Sequence, residues 1–246
     1  MSQKILALWA VPRSTSTAFE TMMRERGDYM VLDEPFGMYY YYSEEKKCDR
    51  YLGKGEIKES NNFQPLLQDI IDKSQSQKVF LKDMAYYVYD RADEDFLSHF
   101  DHTFLIRHPK KALRSLFARW PDFSKTEASY KEIDDLFEAA KKYTGKVPPL
   151  IDSDDLVNKP EATVKAYCEA VGIEFKPEAL QWKPKVRSEI NQWEGTWHGE
   201  VQSSQGFKPK EQKNYASIEN TPHLKEAYDY CLPYYEKLYE QRLRIE

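Results

Sequence analysis

The chain has 246 residues, enough to bury a substantial core in one α/β domain, and no shift in composition marks a linker. Its 36 basic and 41 acidic residues leave a net charge of −5, which excludes broad electrostatic adhesion to nucleic acid or anionic membrane, so any anion site must be local. Three cysteines, Cys48, Cys168 and Cys231, form no CxxC pair and have no histidine spacing, which speaks against a disulfide framework or zinc site and fits a reducing cytoplasm.

In chain order, the first apolar run spans Ile5 to Val11. It is far shorter than the ~20 residues of a membrane span and runs into Pro12-Arg13 rather than a small-residue cleavage site, so it reads as a strand. Helical spacing of apolar residues follows over 18–26. Between the two lies Arg13-Ser14-Thr15-Ser16-Thr17. A loop leading from the first strand of a parallel sheet into its helix gathers backbone N–H groups and the positive end of the helix dipole at one point. Four hydroxyls and a guanidinium add donors suited to phosphate oxygens, and the stretch reads as a phosphate cradle. Simple capping of the helix by Ser and Thr is the plainer alternative. The loop lacks the glycine and lysine of G-x-x-x-x-G-K-[ST], which counts against gripping a γ-phosphate.

A second strand, 30–32, leads into Asp33-Glu34-Pro35 and then Tyr39 to Tyr42, four tyrosines that cannot all face one pocket. Residues 43–62 are rich in lysine and glutamate and lack periodicity, as expected of a mobile loop or lid. A helix over 63–74 precedes a strand over 79–81 that closes on Lys82-Asp83; another strand, 103–106, closes on Arg107. Helices are expected over 112–120, 127–143 and 161–171, with a short strand at 150–151. Residues 183–213 are irregular but carry Trp193, Trp197, His198 and Phe207, and a closing helix over 221–244 should be kinked or broken by Pro233. This alternation implies a three-layer α/β/α domain around one parallel sheet with right-handed crossovers.

Arg107 at a strand end and Ser115 on the following helix can converge on a second anion at the same sheet edge. Two anion sites imply a ligand with two separated phosphates. The five histidines show no triad or metal spacing. His108 beside Arg107 reads as structural, and His198 beside Trp197 is retained as a candidate base.

Together these motifs resemble the P-loop sulfotransferases that use 3′-phosphoadenosine 5′-phosphosulfate (PAPS), in particular their small-molecule and bacterial branch. Pro12-Arg13-Ser14-Thr15-Ser16-Thr17 is similar to that family's P-[KR]-S-G-T-T loop, and Arg107 with Ser115 eight residues later has its 3′-phosphate spacing. Phe80-Leu81-Lys82-Asp83 resembles a strand ending in lysine and a catalytic histidine, Asp152–Pro160 a late E-D-x-x-x-x-P segment, and WHGEVQSSQGFKP a V-x-x-S-x-G-F tail. The resemblance implies that Arg13, Ser14, Thr15, Ser16 and Thr17 hold the 5′ side and Arg107 and Ser115 the 3′-phosphate. It places Arg13 at the leaving oxygen, Lys82 at the transferring sulfuryl group, and Ser204 and Gly206 in a segment closing over the donor. Glu34, after the second strand, is the implied general base, ahead of Asp83 and His198. A carboxylate beside Phe36 and Tyr39 is partly desolvated, which strengthens a base. Two departures stand out: Asp83 or Met84 occupies the histidine position, and Thr15 replaces a glycine, so the loop should turn some other way than through a positive φ.

The expectation is therefore a single cytoplasmic P-loop-type domain over 1–246, a sulfotransferase of small-molecule natural-product metabolism. It would move a sulfuryl group from PAPS to a hydroxyl or amine, release 3′-phosphoadenosine 5′-phosphate (PAP), and require no metal, because the sulfuryl group carries less charge than a phosphoryl. Asp33, Glu34 and the tyrosines leave room for a cationic acceptor. Two rival readings remain: a kinase or ATPase in which Asp33-Glu34 ends a Walker-B strand and holds magnesium, and a nucleotide-binding module without catalysis.

Overall fold

The computed structural model describes residues 4–184, 205–208 and 215–245. Five parallel strands, β1 (Ile5–Ala10), β2 (Met30–Asp33), β3 (Val79–Met84), β4 (Phe100–Ile106) and β5 (Leu150–Asp152), form one sheet in the order β2-β3-β1-β4-β5. Each expected strand is present. β3 and β4 extend further than their apolar runs, because Lys82, Asp83 and His102 join the ladder and find buried partners. β1 is buried along its whole length, as a central strand covered on both faces must be.

The helices are α1 (Ser16–Glu25), α2 (Pro35–Tyr42), α3 (Phe63–Ser76), α4 (Glu94–Ser98), α5 (Pro109–Phe117), α6 (Lys125–Ala128), α7 (Tyr130–Thr144), α8 (Ser153–Asn158), α9 (Pro160–Val171) and α10 (Pro222–Glu240). Strand alternation divides the core in two. On one face Phe19 of α1 stacks on Phe80 and meets Tyr167 of α9 edge-on, and Tyr167 is hydrogen-bonded to Thr103 of β4. On the other, Trp9 lies among Phe36, Phe96 and Phe100.

Two expectations need correction. The helix over 127–143 is two helices, divided at Ser129, whose φ is 68°, with Ser124 and Glu127 forming a capping box on α6. α10 runs unbroken through Pro233. Leu224, Ala227, Cys231, Tyr235 and Leu238 give it a continuous buried stripe, and that packing outweighs the ~3 kcal/mol a proline costs inside a helix. Within residues 43–62, Tyr51 is buried against Tyr41, Arg50 pairs with Glu127 and Asp122, and the Lys47 and Lys58 amides donate to carbonyls of α2. Among the described residues no helix is long and apolar enough to cross a membrane.

His102 belongs to the core. Its Nδ1 accepts from Trp9 Nε1 at 2.9 Å, so Nε2 carries the proton and donates to Leu97 O at 3.1 Å. Burial pushes the imidazole down to about 4. The unfolded chain therefore takes up a proton near pH 6.5 that the folded protein refuses until about pH 4, and this stability is lost as pH falls through that window. Urea unfolding at pH 7 and pH 4.5 should show the stability gap between wild type and His102→Gln narrowing by about 2–3 kcal/mol at the lower pH. A gap independent of pH would contradict this account.

Candidate active site at the sheet edge

From β1 the chain runs to one side of the sheet and from β4 to the other, so the neighbouring C-terminal ends of β1 and β4 open the crevice where α/β sheets bind ligands. The two anion motifs meet there. Arg107 Nη1 donates to Arg13 O at 2.8 Å, and Arg13 Nε donates to Ser115 Oγ at 3.0 Å. Tyr130 Oη donates to Arg107 O at 2.6 Å and steadies that turn.

The loop does turn through positive φ, contrary to expectation: Arg13 has φ 65° and Thr15 φ 75°. A β-branched residue in that region is strained by roughly 1–3 kcal/mol. A hydrogen bond of 2.7 Å between Thr15 Oγ1 and the buried Ser153 Oγ at the start of α8 helps to hold it. Ser16 and Thr17 open α1, the first buried and the second half-buried. Ser14 Oγ and Arg107 Nε are buried and have no hydrogen-bond partner among the described residues. Thr15→Gly should stay within about 1 kcal/mol of wild type, since relief of strain offsets the lost hydrogen bond. Thr15→Val keeps the strain and strands the Ser153 hydroxyl, and should lose about 1–2 kcal/mol in urea unfolding.

One strand to the side, alternation points Lys82 toward α1 and Asp83 toward α2. Lys82 is completely buried, its ammonium 2.6 Å from Glu34 Oε1, 2.5 Å from Asp33 Oδ1 and 3.5 Å from Glu20 Oε2. Burial alone would lower the Lys82 pKa, but the three carboxylates carry it well above the ordinary lysine value. Burial, reinforced by the charge of Glu20, raises Asp33 well above the carboxylate range. Burial also works upward on Glu20, yet Lys82, the hydrogen bond from Asp33, and Arg24 together bring it below its ordinary value. Within the cluster Arg24 pairs with Glu20, and Lys82 lies against all three carboxylates.

Lys82 is thus closed off from solvent, its three N–H donors facing carboxylates inside the protein. Glu34 is the member that looks outward, its side chain 11 % exposed against 1 % for Asp33 and 0 % for Lys82. Its backbone is left-handed, with φ 46° and ψ 49°, and Tyr87 Oη donates to its Oε2 at 3.2 Å. Of the four non-glycine residues with positive φ among the described residues, Arg13, Thr15 and Glu34 lie at this edge. Such strain concentrates where function requires it.

Asp83 is displaced as a base: it is fully buried, and its oxygens accept from the Phe36 and Met84 amides at 2.8 and 2.9 Å. Phe36, Tyr39, Tyr40 and Tyr41 are core. His108 caps α5 through Nδ1. Gly206 is not brought to the cradle. It bridges to Gln181 and lines a cavity with Glu25, Glu161, Trp182 and Phe207, at the far end of α1 and about 15 Å along the helix axis from Thr15. Its φ of 153° and the approach of Leu180 O require glycine there. Ser204 and His198 lie outside the described residues. Glu20, Tyr87 and Ser153 were not foreseen; Ser153 lies within the Asp152–Pro160 segment without a role assigned to it, and only the fold brings the three to this edge.

A family model described as a sulfotransferase domain matches residues 3–240. The chain belongs to the sulfotransferase domain family. Two curated relatives from Arabidopsis thaliana, branched-chain-amino-acid aminotransferase-like proteins 1 and 2, are 29 % and 28 % identical over 83 % and 96 % of the chain. The aligned region covers 36 % and 41 % of those proteins, so the chain spans less than half their length. Among solved structures, the sulfotransferase domain from the curacin biosynthetic pathway superposes with a TM-score of 0.51 at 16 % identity, covering 96 % of this chain and 97 % of that one. That likeness establishes the shared fold: one parallel five-stranded sheet flanked by helices.

Proposed function

We propose that this sulfotransferase-family chain transfers a sulfuryl group from PAPS to a hydroxyl or amine of a small molecule, with Glu34 as general base. One observation carries the reading: at the crevice between β1 and β4, Ser14 Oγ of the cradle loop and Arg107 Nε just after β4 are buried with no hydrogen-bond partner among the described residues. Buried donors left unmatched cost about 1–3 kcal/mol each, which a bound oxyanion would recover. Residues 13–17 with the α1 N-terminus would hold the 5′ side, and Arg107 and Ser115 the 3′-phosphate. The donor supplies an activated sulfuryl group on a good leaving phosphate.

The chain's own task is then to position an acceptor, take its proton and meet charge at the leaving oxygen. Arg13 supplies the charge. Glu34 takes the proton, aimed by Lys82 at Oε1. A cationic acceptor would meet Glu34, the most exposed carboxylate of the cluster. The buried thiols of Cys168 and Cys231 fit a cytoplasmic setting. The kinase reading would need Asp33 and Glu34 for magnesium, but Lys82 occupies the space between them.

Calorimetry tests this. PAP should bind without magnesium, and Arg107→Gln should weaken it tenfold or more, the value of a charge-assisted hydrogen bond. No heat with PAP, or a thermal shift with Mg-ATP alone, overturns the assignment.

A further inference from the structure

Glu34 does not stand alone at the end of β2. A turn at Ala85–Tyr87 follows β3 and brings Tyr87, 3 % exposed, onto Glu34 Oε2. Tyr86 beside it packs its ring against Tyr87 and is hydrogen-bonded, at 2.9 Å, to Tyr41 of α2. All three phenols are buried, in a packed aromatic group where the Tyr86 and Tyr87 rings lie 4.4 Å apart.

The direction of the bond to Glu34 is fixed: a carboxylate only accepts, so the Tyr87 hydroxyl donates to Oε2. It does so in a closely packed, low-dielectric setting, where a hydrogen bond is stronger than in water.

We propose that Tyr87, its ring held in the packed aromatic group, is a positioning residue that fixes Glu34 Oε2 and moderates its basicity, as Lys82 does at Oε1. This inference rests on the reading of Glu34 as the base. The two oxygens are held unequally. Lys82 grips Oε1 at 2.6 Å, while the bond from Tyr87 to Oε2 is 3.2 Å long, which leaves Oε2 the better seat for the acceptor's proton. The other charged or titratable groups facing Glu34 are Asp33 of β2, Lys82 and Asp83 of β3 and, through Lys82, Glu20 of α1.

Removing the hydroxyl while keeping the ring separates positioning from packing. In Tyr87→Phe, kcat should fall about tenfold with PAP affinity and acceptor KM unchanged. The acidic limb of the kcat profile should move to higher pH by about half to one pH unit, because the charged form of Glu34 loses a donor. The same displacement should appear without turnover in the carboxyl 13C titration of glutamate-labelled apoprotein, with the Glu34 signal identified by its loss in Glu34→Gln. Normal kcat and an unmoved titration in a folded Tyr87→Phe overturn the inference. If Tyr87→Phe fails to fold, unmoved readouts in Tyr87→Leu, which also lacks the hydroxyl, overturn it equally. Unchanged turnover in Glu34→Gln is a separate outcome, which removes the base and not merely its support.

Discussion

Lys82→Met is expected to lower the unfolding free energy by about 3–5 kcal/mol and Tm by about 10–15 °C, the largest stability loss anticipated for a single substitution in this chain. Methionine fills much of the same space, so little of the loss is a cavity. The cause is electrostatic: the ammonium is fully enclosed and faces Glu20, Asp33 and Glu34, and removing it leaves at least one buried carboxylate without its counter-charge. Carboxylates take up protons as pH falls, so the deficit should shrink in acid. The folded-state affinity of Glu34 and Glu20 for protons rises once Lys82 is gone, and a group raised in this way costs stability only above its unfolded value. Adding Glu34→Gln to Lys82→Met should restore part of the loss, a non-additivity expected of contacting charges. Chemical unfolding of the two single variants and the double variant at pH 7 and pH 5 checks the sign of each step. A loss below about 1 kcal/mol, unchanged with pH, would show that the carboxylates do not depend on the ammonium.

This cluster also shows what a reader of the sequence can and cannot recover. The five strands and the crevice were legible because apolar runs bounded by turns and separated by helical patterns leave few topologies open to a parallel sheet. Arg13 and Arg107 were legible for a related reason: each closes a strand, and strand ends on one edge converge. The partnership of Lys82 with Glu20 was not. It depends on which face of β3 meets α1, and a fully buried strand such as VFLKDM carries no polar alternation to reveal that face. Thr15 misled for a different reason. Steric preference disfavours a threonine at positive φ, but Ser153, distant in the chain, supplies a hydrogen bond that no local rule anticipates. Pro233 misled in the same sense, since tertiary packing overrode a local penalty.

Glu34→Gln is expected to reduce turnover by about 10²–10⁴-fold while leaving PAP affinity within about a factor of two, the range that general acid–base groups contribute. Glutamine keeps the shape of the side chain, and its carbonyl oxygen can still accept from Lys82, so the turn after β2 should survive. What disappears is the capacity to take a proton at Oε2. The cradle is built from other elements, the β1–α1 loop and the β4–α5 junction, and Arg13, Arg107 and Ser115 bond to one another without Glu34. Donor binding and proton removal are therefore separable in this fold, and the experiment measures each in the same variant. Calorimetry with PAP reports the cradle; sulfation of a panel of small hydroxyl and amine acceptors from labelled donor reports the base. Lost turnover with PAP affinity intact assigns the proton to Glu34. Loss of both would mean that the Glu34–Lys82 pair shapes the cradle from a strand away. Full turnover in Glu34→Gln would leave this edge without a base among the described carboxylates, since Asp83 is sealed by backbone amides and Asp33 is enclosed against Lys82.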